Sequence, residues 1–187
     1  VEASLAWGDK LGAIFSGTAA LITAMALFRR AYRLERYLTD DCFRKLAALL
    51  VALTLLYGYF TLSEYLTTWY GGLETEGRLL TLLMGGSSYG AAFWFWVVTG
   101  LFIPLGLLIM PSKRSLGAII TASVLINIGM WLKRFLILVP TLETPYIPVQ
   151  GAGFTAGYSP TWVEWAITAG GFAGFMLLYT LFSRLLP

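Results

Sequence analysis

Five apolar runs, each long enough to cross a bilayer and each bounded by charge, glycine or proline, set the pattern of this chain. The first covers about 11–30, with eighteen uncharged residues from Leu11 to Phe28 before the basic end Arg29, Arg30 and Arg33. The others cover about 46–68, 91–110, 116–138 and 161–182. A hydrocarbon core of ~30 Å takes roughly 20 helical residues at about 1.5 Å each, so every run predicts a transmembrane helix. The expected fold is all-α: one polytopic membrane domain over 1–187, with a four-helix bundle and one further helix. The opening at Val1 and the abrupt end at Pro187 lead us to expect a piece of a longer subunit.

Polar residues inside these runs are not scattered. In the second, Thr54, Tyr57, Thr61, Glu64 and Thr68 recur every three or four residues and so share one helix face. In the fourth, separations of four and seven put Ser123, Asn127 and Arg134 on a common face, and Thr161, Glu164 and Thr168 repeat the pattern in the fifth. Between the runs, 78–84 reads as a short interfacial helix and Pro111–Arg114 as a tight loop. Pro140–Pro160, with four prolines and three glycines, reads as an irregular loop. Phe93, Trp94, Phe95 and Trp96 read as an interfacial aromatic belt, and Pro104 as a tolerated kink.

Composition agrees with a membrane protein: 58% hydrophobic, 12% charged and mean hydropathy +0.73, against about a quarter charged in soluble domains. With no histidine and a single cysteine, Cys42, the chain has no internal disulfide. The same count excludes imidazole-ligated haem, cysteine-ligated iron–sulfur clusters and the usual zinc sites within it. Any redox centre therefore belongs to a partner. A pI near 9.1 reflects topology signals rather than nucleic-acid binding. Six basic residues lie between Arg29 and Lys45; alternation of the spans puts Lys113, Arg114 and Arg184 on the same side, nine of the thirteen in all. The positive-inside rule makes that side, the first loop and the C-terminus, cytoplasmic, in a multi-pass protein of the inner (cytoplasmic) membrane.

In this topology Glu64 and the pair Lys133, Arg134 lie at similar depth, each roughly 27 Å from the cytoplasmic start of its helix, with Glu164 at the same outer level. Two charges of each sign thus share one layer. Snorkelling to the headgroups is the favoured reading for Lys133. Arg134 and Glu64 each share a face with other polar residues, so they are expected to pair inside the bundle, with Glu164 as the second candidate partner. Glu164 also suits a helix first turn, and Tyr57, Thr61 and Asn127 serve either as hydrogen bonds between helices or as members of a proton path.

The phrases GAIFSG (Gly12–Gly17), YGYF and SEY (Tyr57–Tyr65), INIGMWLKRFLILVPTL (Ile126–Leu142) and YSPTWVEW (Tyr158–Trp165) resemble the later half of NrfD/PsrC-type membrane subunits of quinone-linked oxidoreductases. The ActC and ActF subunits of alternative complex III are the nearest in kind, beside polysulfide-reductase anchors. The resemblance implies an all-helical subunit that holds no redox cofactor and works with a menaquinone-type quinone. Its implied partners are iron–sulfur, haem or molybdopterin-family subunits on the extracytoplasmic side and other membrane subunits. In the family the quinone pocket belongs largely to the earlier half, and the later bundle is where a proton path is placed. The charged layer of Glu64, Arg134 and Glu164 would belong there. A transporter or channel-like bundle and a purely structural anchor are the alternatives.

Overall fold

The computed structural model describes residues 2–72, 77, 80–81, 83–85, 88–109, 115–143 and 161–185. The expected all-helical fold is present: among the described residues there is no strand, and five helices are long and apolar enough to span a membrane. They are α1 (Glu2–Tyr32), α2 (Asp40–Gly71), the compound helix α3 (Ser88–Val97), a π-helical turn (Val98–Phe102) and α4 (Ile103–Ile109), then α5 (Leu116–Glu143) and α6 (Trp162–Leu185). The chain forms two compact units, Val1–Pro148 and Val149–Pro187.

The first unit holds four spans packed as a bundle. Helix α2 and helix α5 each touch both other spans and one another, so they form its short diagonal, with α1 and the α3–α4 helix at the far corners. The buried positions explain the arrangement. On α2 they are Phe43, Ala47, Leu50, Thr54, Tyr57 and Thr61, a strict alternation of four and three. The stripe on α5 runs through Ile119, Ala122, Ile126, Met130, Lys133 and Leu136.

At the end of α1 the chain reverses through Arg33, in the left-handed region at φ 52°, while the Leu34 N–H bonds the Arg29 carbonyl at 3.2 Å. That six-to-one bond is the Schellman closure of a helix C-terminus. Arg29 Nη1 then reaches Asp40 Oδ1 at 2.6 Å and ties α1 to the start of α2.

Two prolines shape the spans. Pro104, expected as a tolerated kink, is accommodated by a π turn just before it, where the Ile103 N–H bonds the Val98 carbonyl. Proline lacks an N–H for the Gly100 carbonyl and crowds it, and a wider turn relieves both. Pro140 was expected to begin an irregular loop, whereas α5 continues through it to Glu143. In a bilayer a helix keeps the other backbone groups satisfied at the loss of one bond. The aromatic belt is likewise divided: Phe93 and Trp96 are core, and Trp94 and Phe95 face outward. Residues 77, 80–81 and 83–84 are helical, as expected for 78–84. The expected loop 111–114 and the rest of the Pro140–Pro160 segment, 144–160, lie outside the described residues.

In the second unit, α6 begins with Glu164 turned back to accept a hydrogen bond from the Thr161 N–H at 3.1 Å. The partners stand at the N-cap and third helical positions, one half of a capping box.

Candidate functional site

The buried ammonium of Lys133 is the centre of the charged layer. It is 7% exposed and enclosed by α2, α3 and α5. Its Nζ donates to Thr61 Oγ1 at 3.4 Å, lies 3.9 Å from Glu64 Oε2, and sits over the rings of Tyr57 at 4.7 Å and Trp96 at 5.3 Å. Glu64 is about one-third exposed, so the pair runs from the bundle interior toward its surface. Each contact has a local cause. Tyr57, Thr61 and Glu64 lie on the polar face of α2, and Trp96 is the inward member of the aromatic run. Lys133 follows Ile126 by seven residues and Met130 by three, which places it on the buried stripe of α5.

This corrects the expected partner of Glu64. Arg134, one residue further and about 100° round the helix, is exposed, and Lys133 takes the interior position rather than snorkelling. Arg134 instead borders a small pocket with Gly8, Asp9, Tyr57, Lys133 and Ile137. Asn127 belongs to another cluster. Its Nδ2 donates to the Ser123 carbonyl at 3.0 Å and reaches Thr23 Oγ1 at 3.5 Å, while Thr23 and Ser123 hydroxyls share a bond of 3.1 Å. That set joins α1 to α5 by hydrogen bonds, the packing role expected of such residues in membranes. Glu164 lies in the second unit, where it caps its own helix.

Close helix contacts hold the site in shape. A Cβ at Gly12 would stand 3.2 Å from the Tyr57 ring and 3.3 Å from Met130, so the bare glycine lets that ring lie against α1, where it also stacks on Phe15 with centroids 5.2 Å apart. At the other wall a Cβ on Gly129 would fall 2.6 Å from the Gly100 Cα, so α5 and the π turn meet backbone to backbone. Beyond Thr61 and Trp96, on the side away from Arg134's pocket, an apolar cleft of about 390 Å³ opens between α2 and the α3–α4 helix. Among the described residues, no three of the His, Cys, Asp and Glu side chains come together as a metal site would need.

A polytopic helical membrane protein with a buried lysine beside a glutamate in its first unit is the class these features define. The chain belongs to the NrfD family: the family model described as polysulphide reductase, NrfD, matches residues 11–145. That stretch takes in α1 from Leu11 onward and α2, α3, α4 and α5, hence every residue of the Lys133 cluster. Members of this family are quinone-interacting membrane subunits of oxidoreductases. In related complexes they partner with iron–sulfur and molybdopterin subunits. A comparison with curated proteins finds no match.

Proposed function

We propose that this chain works in a quinone-linked oxidoreductase of the alternative complex III or polysulfide-reductase kind, and that Lys133 and Glu64 carry protons for it. The observation that carries the reading is the buried ammonium paired with a carboxylate in the portion matched to the family. An ion in the membrane interior costs about 3 kcal/mol or more, and such groups commonly mark ion or proton pathways. Quinol oxidation releases protons as well as electrons, so a protonatable pair close to a quinone has a task to perform.

The donors and acceptors are laid out for that task. Lys133 offers three N–H bonds and Glu64 two acceptor oxygens, with the Thr61 hydroxyl able to pass a proton in either direction. The 3.9 Å gap to Glu64 is too long for a direct hydrogen bond, and one water or a small side-chain movement closes it. On the far side, Tyr57 and Lys133 border the pocket with Asp9, which leads outward. Under the positive-inside orientation this pocket faces the extracytoplasmic partners, and the quinone is of the menaquinone type.

The test is to purify the chain with whatever accompanies it from the native membrane and assay quinol turnover. Co-migrating iron–sulfur subunits and quinol-dependent electron transfer are the expected result. A chain that remains alone and carries substrate across liposomes would instead establish the transporter reading.

A further inference from the structure

The turn that joins α1 to α2 carries more positive charge than its own contacts use. Six basic residues and three acidic ones lie between Arg29 and Lys45. Arg29 is held by Asp40 at 2.6 Å and lies over the Phe43 ring at 5.7 Å, and Lys45 is held by Asp41 at 3.4 Å. That leaves Glu35 against Arg30, Arg33, Arg36 and Arg44, all four exposed and none with an ion-pair partner among the described residues. We infer that this turn is a docking surface for the anionic headgroups of the phospholipid leaflet it faces, with these four arginines holding the phosphates. The inference goes beyond the quinone-linked reading and does not depend on it.

Depth, local folding and backbone conformation each support this occupant. The uncharged stretch of α1 ends at Phe28, with the exposed Leu27 beside it. Arg30 stands ~3 Å beyond Phe28, Arg33 follows the last residue of the helix, and Arg44 stands ~8 Å before the exposed Leu49 of α2. The four side chains therefore begin where the apolar outer surface ends, which favours headgroups over an acidic protein as their partner. A leaflet's negative potential acts within about a Debye length of its surface, ~8 Å at physiological salt. The turn is also fixed in place: the Leu38 N–H bonds the Leu34 carbonyl at 2.9 Å, and Leu38 packs against the core. Tyr32 and Tyr37, 70% and 81% exposed, stand among the arginines as aromatic anchors do at a membrane interface. Finally, Arg33 occupies the left-handed position at φ 52°, where glycine would be free of strain. A ligand for its guanidinium would offset that strain, and the planar fork of arginine suits paired phosphate oxygens.

The test places the assembled complex in nanodiscs of equimolar phosphatidylglycerol and phosphatidylcholine and identifies the phospholipid it retains by native mass spectrometry. Phosphatidylglycerol should be retained in preference, and retention should fall about fivefold for each arginine replaced by glutamine. Glu35→Gln removes the remaining carboxylate and should raise it. Arg33→Gly separates binding from folding: it relieves the left-handed residue, so it should melt no lower than the parent in detergent while retaining about fivefold less phosphatidylglycerol. Equal retention of the two lipids by the parent would overturn the proposal. So would unchanged retention in the assembled variant combining Arg30→Gln, Arg33→Gln, Arg36→Gln and Arg44→Gln, and loss of a co-purifying subunit from it at unchanged lipid retention would assign the surface to an acidic protein instead. If that variant does not assemble, unchanged retention in both Arg33→Gly and Glu35→Gln overturns the proposal in its place.

Discussion

At position 133 an ammonium is surrounded by two aromatic faces, a hydroxyl and a carboxylate, and each neighbour offsets part of the cost of its burial. Cation–π contacts contribute about 0.5–2 kcal/mol when desolvated. Removing one member of a buried pair typically costs about 3–5 kcal/mol, because the other charge is left behind. Lys133→Met or Glu64→Gln alone should therefore lower thermal stability of the assembled protein more than the two together, as a double-mutant cycle on melting temperature would measure. Losses that simply add would contradict direct pairing. The polar face of α2 was legible in the sequence from its three- and four-residue spacing. The identity of the partner was not. Helix α5 carries two polar arcs: Ser123 and Asn127 turn to Thr23 on α1, while Lys133 turns to Thr61 on α2. Spacing groups Arg134 with the first arc, but it does not say which arc meets the carboxylate. The buried stripe through Ile126 and Met130 was the available signal for Lys133.

The helices themselves were largely legible, since uninterrupted apolar runs in a bilayer have few structural outcomes. The five spans extend by a few residues beyond most expected limits, through the basic end of the first and through Pro140 in the fourth. What periodicity could not supply was the π turn, which depends on Pro104 and on the approach of Gly129 to Gly100 from a distant part of the chain. That approach leads to a second prediction. Gly129→Ala must push α5 and the α3–α4 helix apart, as the nearest obstacle is backbone at 2.6 Å. Overpacking of this kind costs about 1–3 kcal/mol or more, so the variant should show reduced thermal stability and reduced assembly. Gly17→Ala, where a Cβ meets nothing within 4 Å, is the matching control and should behave as the parent.

For the whole molecule, membership of the NrfD family and the five spans were both readable from short phrases and apolar runs. The pairing of spans around the α2–α5 diagonal was not, because each helix presents more than one face able to pack. Orientation is a separate matter that charge addresses. With six basic residues between Arg29 and Lys45, around the turn from α1 to α2, Cys42 should resist an impermeant thiol reagent applied outside intact cells and react once the membrane is opened. Equal labelling before and after opening would reverse the proposed topology. The central claim concerns neighbours one residue apart, and it is tested most directly by quinol turnover of the assembled complex carrying Lys133→Met or Arg134→Met. The account predicts that the first lowers turnover by roughly a hundredfold, the scale of a lost proton-transfer group, while assembly is kept. The second, at an exposed position, should stay within about a factor of two. Full turnover in Lys133→Met with a large loss in Arg134→Met would contradict it.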